Sequence, residues 1–226
     1  MDADFLQTLW VTFKLALSTT VILSIIGLPL AYWVAYTRLK IKPFIEAFIS
    51  MPLVLPPSVL GYYMMVLYSP RNGFGKWLNE TLSVRLAFSF EGVLIASVLF
   101  SLPFMIQPLQ NGFQSLPTSL SEASYTLGKS KFTTFFKVLL PNIKPSIITA
   151  TALTFAHCIG EFGVVLMVGG NMPGTTRVAS IAIYDEVQAL NFDTANKYAF
   201  ILFAVSFVML TVIYSVNKKY NTWKMM

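Results

Sequence analysis

Two ionisable side chains, Glu161 and His157, lie inside one apolar stretch of the sequence and are the first candidates for chemistry. Glu161 is the only formal charge between Lys144 and Arg177, and His157 comes one helical turn before it. Ionisable groups are costly within a membrane and usually face a cavity or a partner. One histidine and one carboxylate are too few ligands for a metal site. We therefore expect the Glu161 carboxylate to accept hydrogen bonds from a neighbouring helix or from the following loop.

A second candidate is the polar, lysine-bearing segment 119–145, which separates two long apolar stretches. Ser119 and Glu122 have the spacing of a capping box, in which the serine caps a helix start and the glutamate bonds back to the cap. We predict a helix over about 120–127 that stops at Gly128, because glycine suits the left-handed position at a helix end. Local capping alone would explain Glu122, and so would contact with a partner in the water phase.

A second helix is predicted to begin at Ser130 and to carry one apolar face. Its apolar residues follow the amphipathic spacing i, i+3, i+4, i+7, i+8: Phe132, Phe135, Phe136, Leu139 and Leu140. Pro141 and Pro145 punctuate the entry to the next apolar stretch. The segment is thus predicted as a short helix and a turn, braced by a second helix that lies along the membrane or the other helices.

The rest of the sequence offers no set of residues for catalysis. Cys158 is alone, so no internal disulfide can form. The stretch 169–174 is glycine-rich but lacks the Gly-Lys-Ser/Thr ending of a phosphate-binding loop. We predict an outer turn there, while contact of its backbone amides with an anion or a docked protein stays open. Without a Walker motif, a Cys/His cluster or a nucleophile–base pair, the chain is not expected to hydrolyse ATP or to be an enzyme.

The elements that carry these residues are predicted from the distribution of charge. Of the 226 residues, 55% are hydrophobic and 12% are charged, about half the charged fraction usual in soluble proteins. Charge-poor stretches long enough to cross a membrane predict five helices, with a sixth left open, at about 10–36, 44–68, 92–112, 145–168 and 197–216. We predict an all-α integral membrane protein with a single domain over 1–226. The acidic start and the length of the first stretch are unlike a signal peptide, so we expect it to be retained.

The positions of lysine and arginine predict the orientation of these helices. Ten of them follow the first and last predicted helices or lie between the third and fourth, and five lie on the other side. The poorer side holds seven acidic residues: Asp2, Asp4, Glu80, Glu91, Asp185, Glu186 and Asp193. We therefore expect the N-terminus outside, and the C-terminus and segment 119–145 in the cytoplasm. The net charge of +6 is a topology signal and does not indicate binding to nucleic acid.

The second predicted helix is unusual because Pro52, Pro56, Pro57 and Gly61 fall within ten positions. Each interior proline removes a backbone hydrogen bond and clashes with the preceding turn. The prolines fit a kinked helix packed against its neighbours. They also fit a broken helix that faces a pathway, where irregular backbone can meet water or protein.

The cytoplasmic segment, bounded at 113–144, resembles the loop E-A-A-x3-G-x9-I-x-L-P of bacterial ABC-importer permeases. The residues that carry this resemblance are Glu122, Ala123, Ser124, Gly128, Leu140 and Pro141. Ser124 replaces the second alanine and Val138 replaces the isoleucine, and both changes are small. In that family the loop forms a coupling helix that docks into a groove of the ATP-hydrolysing subunit. The resemblance implies a type I importer permease architecture and this coupling role for the matching residues.

Two further stretches are similar to molybdate permeases, and the similarity covers nearly the whole chain. One is Pro52–Tyr63, and the other runs with interruptions from Gly160 to Tyr184. They supply candidates for the pathway or its framework: Pro56, Pro57, Gly61, Gly160, Glu161, Gly163 and Asn171. Val178 stands where the resemblance leads us to expect threonine, so selectivity stays open. The short length suits molybdate permeases better than the longer sulfate permeases.

The resemblance implies a permease subunit of a bacterial inner-membrane importer for an oxyanion, with molybdate first and tungstate next. Its expected partners are a second copy of itself, two cytoplasmic ATPase subunits that bind ATP and Mg²⁺, and an extracytoplasmic oxyanion-binding protein. No cofactor or metal is expected in this chain. A sulfate or thiosulfate permease is the nearest alternative. A membrane-embedded enzyme would need clustered acids and histidines, and a passive channel would not need the structured cytoplasmic segment.

Overall fold

The computed structural model describes residues 3–71 and 73–224, with side chains described as far as Ser215. Asp2 and the side chains of Lys218, Lys219 and Lys224, which contribute to the predicted orientation, lie outside this described part. The regular structure of the described residues is entirely helical, which confirms the all-α class.

The described helices are α1 (Ala3–Tyr36), α2 (Lys42–Ser50), α3 (Pro57–Tyr68), α4 (Gly73–Leu82), α5 (Phe90–Gln114), α6 (Ser119–Thr126), α7 (Lys131–Thr134), α8 (Leu140–Asn142), α9 (Lys144–Ile159), α10 (Gly163–Gly169), α11 (Ala179–Gln188) and α12 (Phe192–Lys224). A 3₁₀ turn at Met51–Leu53 follows α2, and a π-helical turn at Phe135–Leu139 separates α7 from α8.

Three of these helices, α1, α5 and α12, are long and apolar enough to cross a membrane. Two bent pairs bring the number of candidate spans to five: Lys42–Leu53 with Pro57–Tyr68, bent by 106°, and Lys131–Asn142 with Lys144–Ile159, bent by 76°. The predicted number of five is therefore reached only if each bent pair counts as one span. The stretches 69–91 and 169–196 each contain a short helix, α4 or α11.

The second span is broken at its prolines and not merely kinked, with a bend of 106° between its two halves. Pro52 lies in the 3₁₀ turn, and Pro57 is the first residue of α3, a position where its missing N–H costs nothing. With 12 residues, α3 is about 18 Å long, shorter than the ~30 Å hydrocarbon layer. α3 alone is therefore too short to cross such a layer.

The prediction of one continuous helix over 145–168 is wrong, because α9 ends at Ile159 and α10 begins at Gly163. The Gly160 N–H bonds back into α9 and closes it. The Ser180 hydroxyl, on α11, then donates to the Glu161 carbonyl at 2.6 Å. A break at membrane depth needs such a partner for its backbone, and the partner comes from a distant part of the sequence.

The core consists mainly of two apolar clusters along the central helix α5. One joins α5 to the first half of α1 and to α10, through residues such as Leu15, Val93 and Val164. The other joins α5 to the second half of α1 and to the segment that precedes α9, through Leu23, Phe113, Leu139 and Ile143. The second cluster anchors the polar segment to the bundle.

Candidate functional site

The polar segment folds as a helix, a turn and a second helix. α6 ends before Gly128, whose φ of 71° lies in the left-handed region. The Lys129 N–H bonds to the Ser124 carbonyl at 3.1 Å, and the Gly128 N–H bonds to the Tyr125 carbonyl at 2.9 Å. These two bonds form a Schellman motif, which satisfies the last carbonyls of a helix. The predicted stop at Gly128 is confirmed.

The predicted capping box at the start of α6 is wrong. Thr118 occupies the cap position with φ −60° and ψ −28°, and no side chain caps the helix. A capping residue needs a non-helical, usually extended backbone, and Ser119 is already the first helical residue. Glu122 is exposed, and within the described residues its carboxylate has no hydrogen bond or ion pair. Capping therefore does not explain Glu122, whose carboxylate is free to contact a partner.

A buried pair of hydroxyl groups joins α6 to α7. The Ser124 and Thr134 hydroxyl oxygens lie 2.8 Å apart. Thr134 Oγ1 also donates to the Ser130 carbonyl at 3.0 Å, and Ser130 caps α7 by accepting the Thr133 N–H at 3.2 Å, as predicted for the helix start. Ser124, which replaces the alanine of the family pattern, thus joins α6 to α7 through its hydroxyl group. Sequence reasoning missed Thr134, because no spacing rule links side chains across such a turn.

Thr134→Val is expected to loosen α6 more than Ser124→Ala. Valine at 134 leaves the buried Ser124 hydroxyl without a partner, at a cost of about 1–3 kcal/mol. Alanine at 124 leaves Thr134 bonded to the Ser130 carbonyl, so the cost is about 0.5–1.5 kcal/mol. Hydrogen exchange of the α6 amides in the assembled complex measures the difference. Unchanged protection in both variants would show that the hydroxyl pair does not hold α6.

The predicted apolar face of the second helix is confirmed for four of its five residues, because Phe132, Phe135, Phe136 and Leu140 line one apolar groove beside α1. Leu139 is buried in the core, whereas Phe132 and Phe136 are 73% and 49% exposed. Leu139 departs from this face at the end of the π-helical turn, in which an N–H bonds five residues back and shifts the register of the side chains. Leu140 and Pro141 follow that turn, and Pro141 has no N–H to continue an α-helical pattern.

Three of the pathway candidates meet where α3 crosses α10. A Cβ atom added at Gly61 would lie 2.7 Å from the Met167 Cβ, and one added at Gly163 would lie 2.8 Å from the Pro57 Cβ. Both distances are far inside van der Waals contact, so the two glycines let these short helices pack closely. Gly160 has more room, because the nearest atom to its added Cβ is 3.8 Å away.

Glu161 lies in the break between α9 and α10 and is 4% exposed. Its carboxylate oxygens and the adjacent Ser97 hydroxyl lack the geometry of a hydrogen bond to any described residue. The expected hydrogen bonds to the carboxylate are therefore not found there, and Glu161 is held through its backbone carbonyl instead. His157 Nδ1 lies 3.0 Å from the Ser101 hydroxyl. Across the described residues, no three His, Cys, Asp or Glu side chains are grouped to hold a metal ion.

Asn171 belongs to a polar network at the other end of α10. Its amide donates to Asp185 at 2.8 Å, and Arg177 pairs with Asp185 at 3.5 Å and with Asp4 at 3.2 Å. The turn predicted over 169–174 is confirmed, and two of its glycines have left-handed φ. The network ties the start of α1 to this turn and to α11.

Val178, where the family resemblance predicts threonine, is buried and occupies the cap position of α11. A threonine there could cap the helix with its own hydroxyl. In this chain the Thr12 hydroxyl on α1 accepts the N–H of Ala179, the first residue of α11, at 2.8 Å, so another helix satisfies one of the free amides at this helix start. The replacement of threonine by Val178 thus affects the start of α11 inside the core.

Comparison with known families gives a match over almost the whole chain. Residues 10–221 match the family described as the binding-protein-dependent transport system inner membrane component. The chain belongs to this family. It is 43% identical to the molybdenum transport system permease protein ModB of Azotobacter vinelandii, over 93% of each chain. It is 27% identical to the sulfate transport system permease protein CysT of Escherichia coli, over 93% of this chain and 76% of that one.

The fold is that of the type I ABC importer permeases. The inward-facing MetNI methionine ABC transporter superposes with a TM-score of 0.73 at 18% identity, over 97% of this chain and 99% of that chain. A bacterial alginate ABC transporter superposes with a TM-score of 0.79 at 15% identity, over 97% and 80%. This member of the family is a multi-pass inner-membrane permease of an ABC importer, and its relatives are transport permeases, not enzymes.

Proposed function

We propose that this chain forms the membrane pathway of a molybdate importer, with tungstate as the next candidate substrate. The observation that carries the proposal is the 43% identity to a molybdenum permease over 93% of both chains. The sulfate permease of Escherichia coli is less similar and longer, since this chain covers 76% of it.

The pathway is proposed to lie between two copies of the chain, because five spans hardly enclose a gated route. The chain is irregular just before α3 and just before α10, and in membranes irregular backbone lines cavities or lies against protein. Pro56 and Pro57 are exposed at the bend before α3, whereas Gly61 and Gly163 hold the two helices together. Glu161 and Gly160 shape the break, and Asn171 anchors the turn at the end of α10. An ionised Glu161 would repel an oxyanion, so we assign it no contact with substrate.

The helix α6 is proposed as the coupling helix that docks on a separate ATPase subunit. Glu122 and Ala123 are exposed, Ser124 faces inward to Thr134, and Gly128 sets the turn. Two ATPase subunits in the cytoplasm would bind ATP and Mg²⁺, and closure of their dimer would move both coupling helices. The pathway would then open outward to accept the anion from an extracytoplasmic binding protein. The basic and acidic loops favour an outside N-terminus and a cytoplasmic α6.

Uptake of radiolabelled molybdate by cells that express the complete importer tests the substrate. We expect ATP-dependent uptake that excess tungstate suppresses and that excess sulfate leaves almost unchanged. Equal competition by sulfate would favour the sulfate or thiosulfate alternative, which the sulfate-permease relatives support. Measuring the affinity of the partner binding protein for the same anions separates its selectivity from that of the permease.

A further inference from the structure

An apolar groove of about 770 Å³ runs between α1 and the segment 131–140, which follows α6 and packs against it. Ile25, Leu28 and Tyr32 line it on α1, and Phe132 and Phe136 line it on the other side. Ile25 is 69% exposed, and Phe132 is 73% exposed. Within the described part of the chain, nothing covers these side chains.

The position of the groove along α1 places it near one surface of the membrane. α1 has 34 residues and is about 51 Å long, so it extends beyond a hydrocarbon layer of ~30 Å. The groove spans Ile25 to Tyr32, in the half of α1 that leads to the basic residues Arg38 and Lys40. Its apolar part therefore lies in the leaflet on the basic side of the protein.

The charge at the groove is positive and unopposed. Lys131 lies at its edge, and no described residue forms an ion pair with it. The sequence has no Asp or Glu between Glu122 and Glu161, whereas Lys129, Lys137 and Lys144 lie in the same stretch. An apolar slot with a cation at its edge is complementary to a molecule with a long hydrocarbon chain and an anionic head.

We propose that this groove binds one anionic phospholipid. Its acyl chain lies along Ile25 and Leu28 against Phe136, and its phosphate lies at Lys131. The proposal rests on the proposed orientation, because the cytoplasmic leaflet carries the anionic lipids that attract basic residues. A lipid in this position fills the space between α1 and the segment 131–140.

Photolabelling of the importer assembled with its ATPase subunits tests this proposal. The complex is placed in phosphatidylcholine nanodiscs with a small fraction of phosphatidylglycerol that carries a photoreactive acyl chain. We expect labelling of peptides 24–32 and 131–140, and about fivefold less labelling in Lys131→Gln, since one lysine near the membrane surface contributes that much attraction. Lys137→Gln is the matched control, because it removes the same charge from a side chain outside the groove, and its labelling should be unchanged.

Three results would overturn the proposal: no labelling of these peptides, equal labelling by a phosphatidylcholine probe, or equal losses in both lysine variants. Competition between the two lipids on the unmodified complex decides the matter even if Lys131→Gln fails to assemble. A photoreactive benzoylphenylalanine at position 132 adds a check, because adducts with protein chains in place of lipid would also contradict it. Labelling is measured without substrate, so a complex that proves to carry sulfate gives the same lipid result.

Discussion

Glu122→Lys is expected to lower ATP-dependent molybdate uptake by about 30-fold while the subunit stays in the membrane. This loss corresponds to ~2 kcal/mol, the size of a decisive contact in an interface. Glu122 is exposed in the first turn of α6, and no described residue pairs with its carboxylate. The substitution replaces a favourable interaction with the helix dipole, worth at most about 1 kcal/mol at an exposed site, by an unfavourable one of similar size. A loss of uptake in a variant whose α6 amides keep their protection against hydrogen exchange would therefore come from a docking surface whose charge is reversed.

Glu80→Lys is the matched control for this charge reversal. Glu80 is exposed on α4 and has only a 3.8 Å pair with Lys76, one helical turn away. Uptake should be unchanged in this variant, and Glu122→Gln should lie between the unmodified protein and Glu122→Lys. The amount of ATPase subunit that co-purifies with the permease measures docking directly. Normal uptake and normal co-purification in Glu122→Lys would contradict the coupling role.

Gly128 tests the shape of the same surface separately from its charge. No atom lies within 4 Å of a Cβ added at Gly128, so a substitution there strains the backbone without a local clash. Valine in the left-handed region costs about 1–2 kcal/mol, whereas asparagine visits that region readily. Gly128→Val is therefore expected to reduce uptake more than Gly128→Asn. Equal losses would show that the bulk of the side chain at the docking surface matters, and not the turn.

The structure of the polar segment 119–145 was predictable where local chemistry decides it. The helix end at Gly128 and the cap at Ser130 follow from rules that relate residues a few positions apart. The Ser119 cap was wrong because the backbone of the preceding residue, Thr118, is already helical. The apolar face after Ser130 was predicted correctly except for Leu139, which is buried in the core because a π-helical turn changes the register there, and the sequence carries no clear mark of that turn except the following Pro141.

The membrane spans show the same division between local and distant causes. The prolines predicted a kink or a break before α3, because their effect on the helix is local. The break at Glu161 was not predicted, because the hydroxyl that satisfies its carbonyl belongs to Ser180 on another helix. Charge-poor stretches predicted which parts of the chain form long apolar helices or bent pairs, but they could not show that α9 and α10 are separate.

Gly163→Ala is expected to abolish most uptake and to destabilise the permease by about 1–3 kcal/mol, the usual cost of overpacking. The added Cβ would lie 2.8 Å from the Pro57 Cβ, an atom of a rigid ring attached to the start of α3. Pro57 cannot turn away, so α3 must move from α10, and the break that both helices flank must change with it. Gly160→Ala is the matched control in the same four-residue stretch, because its added Cβ meets nothing closer than 3.8 Å. Thermal unfolding of the purified complex and uptake in cells measure both variants. Equal uptake and equal unfolding temperatures in Gly163→Ala and Gly160→Ala would show that Gly163 is not needed for close packing of α3 on α10.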